Sequence, residues 1–170
     1  MKKLISIIVT SILIFSGSCE SNRIQDDSKS GVDIDKLIEN NIRKVSITTG
    51  TAGTLLKKEG NCMPVIGGTT TCLSYPVKRT ILIYESTNRD DVEGWGPLYS
   101  SVKSKLIAQE ETDSDGFFQI TLAPGYYSIF ISEKNKFYAN SSDGMGILNP
   151  LLVKSDSVSV IRLNLDYAVY

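Results

Sequence analysis

A chain of 170 residues with a formal net charge of −1, three cysteines and no histidine excludes several classes at once. No imidazole can act as a general base or zinc ligand, and three thiols fall short of a tetrahedral metal site. The longest basic block is Lys57-Lys58, so the electrostatic footprint of a nucleic-acid binder is missing.

The N-terminus carries an address. Lys2 and Lys3 precede an apolar run of twelve positions, Leu4 to Phe15. As a helix the run measures roughly 18 Å, too short to span a hydrocarbon core of about 30 Å, so it predicts an export signal over residues 1–18 and not an anchor. The small residues Ser16-Gly17-Ser18 then lead into Cys19, and the pattern resembles the lipobox of bacterial lipoproteins. It departs from that pattern at Ser16, where an aliphatic residue is usual. The resemblance implies that Cys19 becomes the acylated N-terminus, carrying lipid such as palmitate. Two acyl chains would hold the protein stably on a membrane, where one binds only marginally. The expected location is the cell envelope, at the outer membrane, with the leaflet open. Loss of Lys2 and Lys3 with the signal turns the net charge of −1 into −3.

Residues 19–44 read as a polar tether. Within it Ile34, Leu37, Ile38 and Ile42 fall at helical spacing behind Asp33, a suitable N-cap. The same stretch reads equally as a linker, because Asn40-Asn41 weakens a helix. The first strand is expected over Val45–Leu56. Cys62 and Cys72 then flank nine residues rich in Gly and Thr, and in an oxidising envelope this predicts a disulfide. Closing so short a loop stabilises by about 2–3 kcal/mol in the chain-entropy model.

Further strands are expected at Val77–Ser86, Lys103–Glu111, Lys136–Tyr138, Leu151–Val153 and Ser157–Tyr167. In the last, Ile161, Leu163, Leu165 and Tyr167 form the apolar face. The clearest signal lies between Thr112 and Ile131, TDSDGFFQITLAPGYYSIFI. Asp115-Gly116 turns the chain, and Phe118, Ile120 and Leu122 alternate with Phe117, Gln119 and Thr121. Pro124-Gly125 turns it again before Tyr127, Ile129 and Ile131. Strands joined by so few residues must pair antiparallel. The whole predicts one all-β domain over 45–170, a seven- to eight-stranded antiparallel Greek-key β-sandwich.

The run Thr112, Asp113, Asp115, Gly116, Phe118, Leu122, Pro124, Gly125 and Tyr127 resembles the carboxypeptidase regulatory-like domain, a transthyretin-like (prealbumin-like, Cna-B-like) β-sandwich. Together with EGNCMP and the segments around Tyr138 and Asp143, it is similar to lipoproteins of Bacteroidetes-type bacteria. The resemblance implies an accessory fold without catalytic residues or cofactor, serving as a stalk, adhesion unit or docking module for an envelope protein partner. That step is analogy, because fold alone does not give function.

Three clusters carry possible chemistry. Glu110, Glu111, Asp113 and Asp115 imitate a calcium loop, but the twelfth position of an EF-hand falls on Leu122, so the aspartates most simply shape a turn. The loop Thr87–Tyr99 holds the only tryptophan, Trp95, with Asp90, Asp91 and Tyr99 nearby. An aromatic face beside carboxylates suits a glycan or small ligand; the alternative is that Trp95 folds back to cap the sandwich. The loop 138–146, including Asp143, reads as a turn or as a second wall of the same site. No residues are spaced as a nucleophile and base, so a non-enzymatic function is expected, with Trp95, Tyr99, Asp90, Asp91 and Asp143 as candidate ligand residues.

Overall fold

A computed structural model of the chain describes residues 32–64, 66–67 and 70–170. The expected export signal over residues 1–18 and the expected acylation site Cys19 lie outside the described residues. Among those residues, no helix is long and apolar enough to cross a membrane.

Helix α1 (Ile34–Arg43) starts as its sequence suggests, with the Asp33 carboxylate accepting from the Lys36 N–H at 3.2 Å. The strands follow as β1 (Gly50–Asn61), β2 (Leu73–Pro76), β3 (Thr80–Glu85), β4 (Val92–Glu93), β5 (Leu98–Tyr99) and β6 (Ser101–Val102). After them come β7 (Leu106–Glu111), β8 (Phe117–Thr121), β9 (Gly125–Glu133), β10 (Lys136–Tyr138), β11 (Pro150–Val153) and β12 (Val158–Val169).

Two sheets pack face to face as a sandwich. In the first, β1 pairs with β12 along its whole length on one side, and with β8 and then β2 on the other. The second runs β5-β10-β9-β3-β7, with β11 also paired to β9. Leu55, Phe118, Ile120 and Leu165 from the first sheet meet Ile81, Ile83, Ile129 and Leu151 from the second in the main core. Ile161, Leu163 and Tyr167 pack at its margin, on the face of β12 that the alternation assigns to the interior.

Four short strands, β2, β4, β5 and β6, raise the number beyond the seven or eight expected from the sequence. The expected strand Val77–Ser86 begins only at Thr80, because residues 77–79 carry the chain from one sheet to the other. There Val77 N–H donates to Leu55 O in the first sheet, while Thr112 N–H donates to Arg79 O. The first strand is displaced too, starting at Gly50 and continuing to Asn61. Pairing is antiparallel except between β1 and β12, which run parallel. A parallel pair needs a long connection, and here almost the entire domain supplies it.

Helix α1 docks on the outer face of the first sheet and does not stand apart as a tether. Asn41, 1% exposed, donates through Nδ2 to Thr54 Oγ1 (3.0 Å) and Asp115 O (2.9 Å). Lys44 Nζ reaches Asp113 (3.0 Å) and Asp115 (2.7 Å). Partial burial opposes the Lys44 ammonium, but its hydrogen bonds to Asp115 and Asp113 prevail and raise its pKa. Cys62 and Cys72 form a disulfide that staples the end of β1 to the start of β2, with Cα atoms 4.6 Å apart.

Candidate functional site

After β3, residues 87–102 fold back over the outer face of the second sheet and join its edge as β5. The excursion begins with a 3₁₀ turn, Arg89–Asp91, held by a reciprocal capping box. Asn88 Oδ1 accepts from the Asp90 N–H (2.8 Å), and Asp91 Oδ2 accepts from the Asn88 N–H (3.1 Å). The Asp91 carboxylate is therefore committed to its own loop. Strands β4 and β6 pair next, and Tyr99 of β5 pairs with Phe137 of β10.

This flap creates a second core. Val92, Tyr99 and Leu148 cover Leu82, Tyr84 and Phe130. The rings of Tyr84, Tyr99 and Phe137 stand edge-on to Phe130, at centroid distances of 5.5, 6.4 and 6.4 Å. Both faces of β3 are thus buried, which explains its unbroken run Ile81-Leu82-Ile83-Tyr84.

Trp95 does not cap the sandwich. It sits at the tip of the β4–β6 hairpin, 86% exposed, between Gly94 and Gly96. Arg89 orients it: the guanidinium carbon lies 5.3 Å from the Trp95 ring centroid and 5.5 Å from that of Tyr99, while Nη2 donates to Gly94 O at 2.7 Å. Tyr99 itself is buried, and Asp90 is exposed.

The two loops singled out in the sequence do meet. Ala139 N–H donates to Pro97 O (2.9 Å), and Asn88 bridges to Ile147. Between them lies a cleft of about 350 Å³, walled by Pro97 and Tyr99 on one side and by Tyr138, Asn140, Ser142 and Asp166 on the other. Tyr138 Oη accepts from the Asp166 N–H at 2.9 Å. Burial pushes the Tyr138 phenol up, against the lowering effect of that backbone bond, so at neutral pH it is a neutral hydrogen-bonding group.

Asp143 has a different task. Its Oδ1 accepts from the N–H groups of Met145 and Ile147, each at 2.9 Å, and its carbonyl accepts from Gly146. Asp113 makes the same turn, accepting from Asp115 (2.8 Å) and Phe117 (2.9 Å), with Gly116 closing on its carbonyl. The chain thus uses one aspartate-to-glycine turn twice. Beside the first turn, Glu111 pairs with Lys78. Among the described residues no cluster of His, Cys, Asp and Glu converges as a metal site would require.

Of the sequence candidates, Trp95 and Tyr99 come to one apex, Asp90 stands exposed beside it, and Asp91 and Asp143 hold loop backbone. Tyr138 and Asn140 belong to the 138–146 loop that the sequence offers as a second wall, whereas Asp166 is missed by the sequence reading. Asp166 carried no local signal within the long strand β12, and its convergence with Tyr138 depends on how β10 and β12 are placed. Comparison with protein-family models, with curated proteins and with solved structures finds no match to this chain.

Proposed function

We propose that the chain is a non-catalytic, lipid-anchored protein of the cell envelope whose β-sandwich docks a partner protein at the Trp95 apex. The observation that carries this reading is the 86% exposure of Trp95 on a tip fastened to the sandwich by the second core. A large ring held outward loses little conformational entropy on contact, and buried Trp is among the commonest interface anchors. The lipobox-like Ser16-Gly17-Ser18-Cys19 and the resemblance to carboxypeptidase regulatory-like domains support the envelope and accessory-module parts.

A second reading, a glycan or small-ligand module, is favoured by the polar cleft next to the ring. Because Trp95 is the only tryptophan, its fluorescence reports on the apex directly. Trp95→Ala is expected to leave unfolding stability within about 0.5 kcal/mol of wild type, as for exposed positions. It should weaken partner docking by about 2 kcal/mol or more. A glycan panel that leaves Trp95 emission unmoved would count against the second reading; unchanged partner affinity in Trp95→Ala would count against the first. For the anchor, cells fed radioactive palmitate should label the wild-type chain and not Cys19→Ser. Equal labelling of both would sink lipidation at Cys19.

A further inference from the structure

Large apolar side chains that folding leaves exposed gather at one end of the sandwich. Register brings the last residues of β1 and β12 and the first of β2 to the same level: Glu59 lies beside Tyr167 and Leu73, and Asn61 beside Val169. Cys62 N–H then donates to Val169 O at 2.9 Å, so the disulfide-closed loop continues from this end. Met63, Ile66, Leu73, Val169 and Tyr170 are exposed there, Ile66 completely. Such a concentration of apolar surface in water marks a contact site. Asn61 secures both arms of the loop. Its Oδ1 accepts from the Met63 N–H (3.0 Å) and its carbonyl from the Thr70 hydroxyl (2.8 Å).

Around these apolar tips the side chains are aromatic and basic. Lys58 Nζ donates to Tyr170 Oη at 2.8 Å and lies 4.7 Å from the Tyr170 ring centroid. Lys134, in the turn from β9 to β10, stands 4.7 Å from the Tyr167 ring centroid. Tyrosine is enriched at membrane–water interfaces, where its ring sits at headgroup level, and lysine covers apolar surface while its ammonium reaches the polar layer. The carboxylates of the same strand ends are engaged. Asp166 accepts from the Tyr170 hydroxyl (2.8 Å), Glu59 pairs with Lys57 (3.0 Å), and Glu133 pairs with Arg79.

We propose that this end of the sandwich rests on a lipid surface, with Met63, Ile66 and Val169 dipping into the boundary between headgroups and acyl chains. The inference rests on the lipid-anchor part of the function proposed above and not on docking at Trp95. Twelve residues, 20–31, separate the expected acylation site Cys19 from Val32, a span of at most roughly 45 Å that keeps the domain within reach of the bilayer. Because the acyl chains already supply attachment, a few aliphatic tips are enough to choose which end faces the lipid. The start of β12, a strand of 12 residues, then lies roughly 35–40 Å away, in water.

Tryptophan quenching of the full acylated chain on phosphatidylcholine vesicles with brominated acyl chains tests it. In a Trp95→Phe background, which removes the native emission, the probe is Val169→Trp, and the control is Ser155→Trp, in the turn between β11 and β12. Val169→Trp should lose about half of its emission or more, as for groups seated about 5–10 Å into the interface. Ser155→Trp should lose none. Adding Met63→Asp and Ile66→Asp to Val169→Trp should restore the emission while the chain still floats with the vesicles, since both positions are exposed and the acyl anchor is intact. Equal losses at positions 169 and 155, large or small, would overturn the end-on contact and leave the anchor standing. A chain that does not float with the vesicles would overturn the anchor and this contact together. Dimers in sedimentation velocity that Met63→Asp with Ile66→Asp dissolves, with no quenching on vesicles, would give this end to a second copy instead and overturn the lipid contact.

Discussion

Gly116→Ala is expected to destabilise the fold by about 4 kcal/mol or more, in the range reserved for severe core damage. Two separate effects combine. Gly116 has φ 70°, where a side chain costs about 1–2 kcal/mol. In addition, a β-carbon there would fall inside contact distance of the Leu55 carbonyl oxygen and within 3.3 Å of Pro76 Cβ. Neither neighbour can give way. Leu55 is fully buried, and its N–H donates to Gly116 O at 2.8 Å, so moving the turn breaks the seam between the hairpin and β1. The molecule contains its own control. Gly146 closes the same turn at φ 83°, but with nothing within 4 Å of its added β-carbon. Gly146→Ala should therefore cost only about 1–2 kcal/mol, the backbone part alone. Urea unfolding of the two variants checks this directly. Equal losses would mean that packing against Leu55 contributes nothing.

The second large effect is expected at Arg79. Its Nε lies 2.6 Å from Glu133 Oε2; the glutamate side chain is 4% exposed and the arginine 35%. Tyr167 Oη also reaches Glu133 at 3.4 Å, and Thr112 ties the Arg79 backbone to residue 77. Arg79→Ala strands a buried carboxylate, and the loss should be about 3 kcal/mol, the low end for a buried pair because Arg79 is partly solvated. Replacing both members with apolar residues of similar volume, Arg79→Met with Glu133→Leu, removes the charge together with its partner. The double variant should recover to within about 1 kcal/mol of wild type. A double variant no better than Arg79→Ala would show that the pair does more than neutralise itself, for instance by holding Tyr167.

Much of the fold was legible because its signals are short-range. The Asp-to-Gly turn before Phe117 is made by one carboxylate and N–H groups two and four residues on, so the local sequence contains the whole device. Asp143 makes the identical turn, and the Asn, Asp and Gly of residues 138–146 carry the same short-range turn signal. Alternation placed Phe118, Ile120, Leu163 and Leu165 on interior faces, where they are found. The helix was legible as one of two options. Only Asn41 and Lys44 decide between them, by reaching residues more than ten positions away.

The candidate sites were less legible. Trp95 stood out by composition, yet its exposure depends on Arg89 stacking against it and on a second core beneath the flap. That core also explains why β3 lacks polar alternation, a pattern that alone cannot tell one buried face from two.

Turn chemistry, strand periodicity and the pairing of two thiols across a short loop belong to the sequence alone, because each is encoded within a few residues. Which strands become neighbours, that the first and last run parallel, and which side chains are left without a partner were decided by the tertiary structure. Those outcomes depend on contacts between residues as much as a hundred positions apart, and no local pattern encodes such distances.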